Sequence, residues 1–346
     1  MNRQIIAAAA ADMLVAGCGG QDSGSGSGSQ QIQIVGSSTV YPFTTAVAEQ
    51  FQRDHAGMRA IVESTGTGAG IKLFCSGIGS AFPDMVNASR PMKASEYADC
   101  AKAGAPQVIE LPIGIDGLTL IQAAGAQPLD LTVRDIYAAL AARPFGKEQT
   151  AQTWQDVNPE LPPIKIRVLG PPPTSGTRDS LAELILEKGC QADPAMKALK
   201  ESNEDEYKTI CTRVREDGAF VEAGENDNLL VQKVSADPAA LGVLGYSFLE
   251  ENKAKVRPVA IAGVLPTEAT ISDLSYPGAR KLFVYVKGEH LAVKPGIRDF
   301  FAAFANAWAP GGLLQKRGLV PLDGADAAAA NEQAKTLAPL DPAKLK

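Results

Sequence analysis

The chain has 346 residues, 45% of them hydrophobic and 21% charged, with a formal net charge of −6. That length and apolar share allow a large core and favour two packing units over one. The acidic balance excludes the broad basic footprint of a nucleic-acid partner, but not a small anion, which needs only local donors.

Residues 1–18, MNRQIIAAAAADMLVAGC, set Arg3 before an apolar stretch that ends in Val15-Ala16-Gly17-Cys18. This resembles a bacterial lipoprotein signal cleaved before Cys18, which then carries the lipid; the run is short for a membrane span. Residues 19–31 form a Gly/Ser-rich tract with no side chains for a core, a flexible tether. Anchor, tether and then globular body is the order of a membrane-attached periplasmic or surface protein.

The body opens with QIQIVG, an apolar/polar alternation that predicts a strand. A loop, SSTVYPF, leads to a helix in which Phe43, Val47 and Phe51 recur every four residues, with Pro42 suited to its first turn. The same unit recurs as strand RAIVEST, loop GTGAG and helix start IKLFCSG. It appears a third time as strand IKIRVLG, loop PPPTSGTRD and helix SLAELILEKG. Further strands are expected at DMVNAS, ALGVLGYS, VRPVAIAG and ARKLFVYVK, and helices at TVRDIYAALAA, DPAMKALK and IRDFFAAFANAWA. VIELPIGIDGLTLIQ is long for one strand, as if the chain passes from one sheet to another, with KVRPVAIAGV as the return crossing. Strand and helix in alternation argue for an α/β fold with largely parallel sheets.

Beyond Cys18, the chain has Cys75, Cys100, Cys190 and Cys211. In an oxidising compartment four cysteines make two disulfides in any of three connectivities; sequence neighbours, Cys75 with Cys100 and Cys190 with Cys211, are favoured. With His55 and His290 as the only histidines and no Cys-x-x-Cys, no metal site is expected.

The three strand-loop-helix turns carry the chemistry. A helix start exposes unpaired N–H groups and the positive end of the dipole, so it seats an anion. The first loop offers Ser37, Ser38 and Thr39, the second Thr65 and Thr67 among glycines, the third Thr174, Ser175, Gly176 and Thr177. Singly, such residues are ordinary N-caps. Together, at one edge of a sheet, they line a single cleft. Arg178, in a first helical turn, needs a negative partner, and Arg90 follows a strand at a comparable position; a guanidinium grips phosphate oxygens in a fork. Each arginine has a salt bridge to a nearby acid as its plainer role.

VGSSTVYPF, STGTGAGIKLFCSG, NASRPMKASE, PTSGTRD, AGENDNLLVQKV and YPGARKLFVYVK together resemble the phosphate-binding proteins of bacterial phosphate ABC transporters, from about Ile32 to Leu319. The resemblance implies a two-domain periplasmic binding protein fold of type II with two hinge crossings. Domain I would comprise 32–114 and 262–338, domain II 115–261, with 339–346 a C-terminal tail. It implies inorganic phosphate bound by Ser38, Thr39 and the Val40 backbone, by Thr67, and by Ser175, Gly176 and Thr177, with Arg90 and Arg178 as candidate cations. It implies a monomer without cofactors, delivering phosphate to an inner-membrane ABC permease. Arg90 stands where many members carry an aspartate that accepts the proton of hydrogen phosphate, which leaves Asp116, Asp179 and Asp227 as candidate acceptors. Another oxyanion such as sulfate, or phosphate sensing without a permease, remains an alternative. A phosphatase would need a base beside Ser175 or a metal cluster, and neither is legible.

Overall fold

The computed structural model describes residues 30–224 and 226–345. The signal segment 1–18, with Cys18, and tether residues 19–29 lie outside the described residues. Gln30 and Gln31, counted above within the tether, instead open the first strand.

The Gln/Ile alternation forms β1 (Gln30–Gly36), with β2 (Met58–Ser64) and β3 (Met85–Ala88) parallel on either side. Between β1 and β2 runs α1 (Tyr41–Asp54), with Pro42 in its first turn and Phe43, Val47 and Phe51 buried, as the four-residue spacing requires. Phe51 meets Phe300 of helix Gly296–Ala307 edge-on at 5.1 Å. The other apolar cluster lies around α2 (Thr67–Phe74), where Ile71 and Phe74 pack with Val35, Val86 and Tyr285. A Cys75–Cys100 disulfide ties the end of α2 to α3 (Ala94–Lys102). α2 begins at Thr67, so most of the expected GTGAG loop is the first helical turn.

β4 (Val108–Ala123) is the hinge of the architecture. Beyond it follow β5 (Asp130–Leu131), β6 (Val168–Gly170), β7 (Phe220–Glu222), β8 (Leu241–Gly245), β9 (Val256–Pro258), β10 (Ala260–Ile261) and β11 (Ala279–Lys287). The strand order β2-β1-β3-β11-β4-β8-β6-β7, with β9 also on β4, makes a nine-stranded sheet; β10 and β5 pair apart. Up to Gly117, β4 lies antiparallel to β11; from Leu118 onward it pairs with β8 and β9. The chain thus passes from one half to the other inside a single strand, whose residues are largely buried, as a central strand covered on both faces must be. The segment KVRPVAIAGV does not make the return. Its Val256, Val259 and Ile261 are buried within the second half, on β4 and β5, and the chain rejoins the first half at Ala279, opposite Gly117.

In the second half, α4 (Val133–Leu140) starts from a Thr132 capping box and packs against a helical run over 176–190. That run consists of Gly176–Ser180, a π-helical Leu181–Leu186 and Glu187–Cys190, and starts four residues before the expected Ser180. A Cys190–Cys211 disulfide clips it to helix Glu204–Cys211. Both bridges join sequence neighbours.

Candidate functional site

β1 and β2 are parallel neighbours in the first half and β6 runs parallel to β7 and β8 in the second; the C-terminal ends of β1, β2 and β6 feed α1, α2 and the 176–190 helix, and the three connecting turns converge. Convergence requires bare backbone at two points. A Cβ on Gly70 would stand 2.4 Å from the Cα of Gly36, pressing the second turn against the first. A Cβ on Gly176 would stand 2.7 Å from both the Ser38 carbonyl oxygen and the Thr39 Cα, so the third turn, from the opposite half, also lies against the first.

Hydroxyls stitch these turns together. Ser38 donates to the Asp179 carboxylate, and Thr39 donates to the Gly176 carbonyl at 3.2 Å. The Thr67 and Ser89 hydroxyls are 2.9 Å apart, and Ser89 donates onward to Glu183 at 3.1 Å. Ser175 caps its own helix by accepting from the Thr177 N–H, and the Val40 N–H donates to Ser37 at 3.4 Å.

At the centre is a residue not singled out from sequence. Arg280, near the start of β11 and only 8% exposed, donates from Nη2 to the hydroxyls of Thr39 and Ser180, each at 2.8 Å. Its Nη1 pairs with Glu183, and its Nε lies 3.4 Å from Asp116, which accepts from Ser180 at 2.8 Å. One guanidinium therefore binds groups from both halves of the molecule. Its signal was present in ARKLFVYVK: strand alternation puts Arg280 on one face with Leu282, Val284 and Val286, and a buried arginine needs partners.

Burial and the neighbouring Glu183 raise the Asp179 carboxyl to about 6, against the pull of Arg280 and Arg178. Two cavities flank the cluster. One of about 370 Å³ is lined by Ser38, Thr39, Ser175, Gly176, Thr177 and Asp116 among others, and Asp227 also borders it. The other, of about 620 Å³, has Thr67, Ser89, Arg90, Glu183 and Arg280 in its wall.

The two arginines singled out from sequence lie differently. Arg90 borders the larger cavity but forks onto Glu96 at 2.7 and 2.9 Å, and that bond holds its proton more firmly than usual. The Arg178 guanidinium stacks on the Phe220 ring at 4.4 Å, donates to the Pro171 carbonyl at 3.0 Å and has Glu222 at 4.0 Å. It borders neither cavity. Asn226 caps helix Asp227–Ala236 through the Leu229 N–H. Among the described residues, no group of three His, Cys, Asp or Glu is arranged to hold a metal, and no helix is long and apolar enough to cross a membrane.

The family model of the PBP superfamily domain matches residues 22–307. Protein SphX of Synechococcus elongatus is 35% identical over 297 residues, covering 83% of this chain and 76% of SphX. The phosphate-binding protein PstS of Staphylococcus saprophyticus is 32% identical over 302 residues, covering 84% of this chain and 81% of PstS. A crystal structure of a possible phosphate binding protein from Planctomyces limnophilus superposes with a TM-score of 0.70 at 26% identity, over 88% of this chain and 97% of that one.

Proposed function

Because the chain belongs to the PBP superfamily, and within it to the family of the phosphate-binding proteins PstS and SphX, we infer that it binds inorganic phosphate between its two halves and hands it to an ABC permease. The observation that carries this reading is Arg280, a buried cation joined to hydroxyls of both halves where three hydroxyl-bearing turns meet. An anion entering there gains the guanidinium as a charge-assisted partner, with hydroxyls and the N–H groups of helix starts around it. Ser38, Thr39, the Val40 backbone, Thr67, Ser175, Gly176 and Thr177 supply those donors; Arg90 stands in the wall of the larger cavity, held by Glu96, while Arg178 stacks on Phe220 outside both cavities.

Phosphate is distinguished from sulfate by its proton. Hydrogen phosphate donates to a carboxylate, whereas sulfate would set oxygen against oxygen. Asp116 and Asp179, beside Arg280 and Ser38, are the acids placed for this acceptance. Binding across two halves that close on the ion, rather than bond cleavage, is the chemistry of this cluster: it is a receptor. Domain I comprises the β1–β3 and β11 side and domain II the β6–β8 side. A monomer held to the membrane outside the cytoplasm by a lipid on Cys18, with residues 19–29 as tether, completes the reading.

Calorimetric titration of phosphate-stripped protein beginning at Gln30 tests it. One-to-one phosphate binding with no heat from sulfate is the expected result. Equal response to both anions would make the site a general oxyanion receptor, and no response to either would overturn the assignment.

A further inference from the structure

A buried cluster of charged side chains lies beyond the end of α2 that is far from the cleft. Asp84, just before β3, is fully buried, and its carboxylate accepts from the Gln33 N–H at 2.9 Å and from Lys294 Nζ at 2.8 Å. His290, 2% exposed, sets Nδ1 at 2.6 Å from the same carboxylate. Burial by itself would push Asp84 up, but the bonds from His290, Lys294 and Gln33 hold it below the usual carboxylate range, so it is an anion. The other ring nitrogen of His290 accepts from the Gly79 N–H at 2.9 Å. These two bonds define the tautomer. Nε2 accepts only while it carries no proton, so the proton sits on Nδ1, donated to Asp84, and the ring is neutral.

Gly79 belongs to residues 76–83, the loop that joins α2 to β3. Lys287, at the end of β11, gives this loop a second anchor. Fully buried, it donates to the Gly77 carbonyl at 2.5 Å and lies over the Phe74 and Phe82 rings at 5.0 and 5.6 Å. Burial pulls its ammonium down to about 8, against the attraction of Asp84 and Glu289 and with the repulsion of Lys294. Between Gly77 and Phe82 the loop is exposed and has solvent to move into. Both of its ends lead to the cleft: α2 starts at Thr67, and β3 runs on to Ser89. There the two hydroxyls are 2.9 Å apart, and the Ser89 N–H donates to Thr67 at 3.1 Å.

We propose that His290 is a proton-operated latch on residues 76–83 and, through them, a positioning residue for Thr67. Neutral, it holds the loop by the Gly79 N–H; protonated, it turns an N–H against that N–H, the loop lets go, and the turn at Thr67 loosens its hold on phosphate. Histidine changes charge between pH 5 and 8, and the groups around this one are balanced: Asp84 favours the charged ring, Lys294 and Lys287 oppose it, Glu289 offsets them, and Gly79 accepts only the neutral form. The proposal rests on the reading of the Thr67 turn as part of a phosphate site.

The test compares the full chain, freed of bound phosphate, with its His290→Gln variant, whose amide oxygen can accept from Gly79 but does not titrate. Hydrogen-exchange protection of residues 76–83, corrected for intrinsic rates, is expected to fall at least tenfold from pH 8 to pH 5 in the wild type and to stay within twofold in the variant. Calorimetric phosphate affinities of the two proteins should agree within twofold at pH 8, with the wild type at least threefold weaker at pH 5. Taking the ratio removes the titration of phosphate and of Asp179, which both proteins share. Nitrogen-15 shifts of the wild-type imidazole, one of two in the chain, decide without a variant: the Nδ1–H tautomer is expected at pH 8 and the charged ring at pH 5. An Nε2–H tautomer at pH 8, a neutral ring at pH 5, equal loss of protection in both proteins, or an affinity ratio that does not change with pH overturns the proposal. If neither protein binds phosphate at either pH, the phosphate reading falls, and the exchange and imidazole data by themselves uphold or overturn the latch.

Discussion

The Nη2 of Arg280 lies 2.8 Å from the hydroxyl of Thr39 across 241 positions of chain, and the same nitrogen reaches Ser180 at 2.8 Å in the opposite half. Strand β11, which carries Arg280, is thereby tied to the turns at which α1 and the 176–190 helix begin. Any anion held among those turns is held by the contact that joins the halves.

Arg280→Ala is expected to weaken phosphate binding about a hundredfold, roughly 3 kcal/mol, because the ion loses its charged partner while Asp116 and Glu183 lose theirs. Arg178→Ala should leave affinity within about threefold and lower the melting temperature slightly, through lost stacking on Phe220 worth about 1 kcal/mol. Paired titrations and melts of the two variants decide. If the affinities were reversed, Arg178 would be the direct ligand.

Gly176→Ala drives a methyl group into the backbone at Ser38 and Thr39. The two halves must then part by a fraction of an ångström or strain, at a cost of about 1–3 kcal/mol. Phosphate affinity should fall at least fivefold while the melting temperature of the unliganded protein changes little. Unchanged affinity would mean that this approach of the turns is not needed for binding.

Asp179 carries a pH dependence of defined sign. Its carboxyl sits at about 6 in the folded protein against 3.8 ordinarily, so the folded state binds the proton more tightly than the unfolded state. Stability from this group therefore falls as pH rises from 3.8 to 6, and the full penalty stands above 6. Asp179→Asn should raise the melting temperature at pH 7.5, by the equivalent of roughly 1 kcal/mol after allowance for partial exposure, and leave it unchanged near pH 3.5. A gain of equal size at both pH values would assign the effect to packing.

Reduction of Cys75–Cys100, which closes a separation of 25 residues, should cost about 3 kcal/mol through the freed unfolded chain. The Cys75→Ser/Cys100→Ser protein should melt several degrees lower. Since the bridge anchors the far end of the helix that starts at Thr67, its phosphate affinity should also fall, by less than in Arg280→Ala. Titration at a temperature well below the melt separates the two effects.

Much of the fold was legible because its signals are local. Alternation marked β1 and β11, four-residue spacing marked α1, and the excess length of residues 108–122 showed a strand serving two sheet halves. The disulfides joined cysteines already close along the chain. Helices Glu204–Cys211, Asp227–Ala236 and Tyr246–Glu251 were not anticipated: the first opens on a run of acidic residues and the last spans only six residues, while Leu230, Val231 and Val234 of the second form a stripe that went unread. The start of α2 at Thr67 was hidden by glycines, which mark loops but here clear space for a neighbouring turn.

The site divides in the same way. Amino-acid sequence alone determined the hydroxyl-bearing turns at Ser38–Thr39, Thr67 and Ser175–Thr177, because strand, turn and helix start are set by residues within a few positions of one another. Tertiary structure alone decided which cation they share. Arg178 and Arg280 are equally charged, but the first stacks on Phe220 while strand order delivers the second to Thr39 and Ser180. No local pattern encodes that choice, because it depends on β11 lying beside β4, and so on how the whole sheet is assembled.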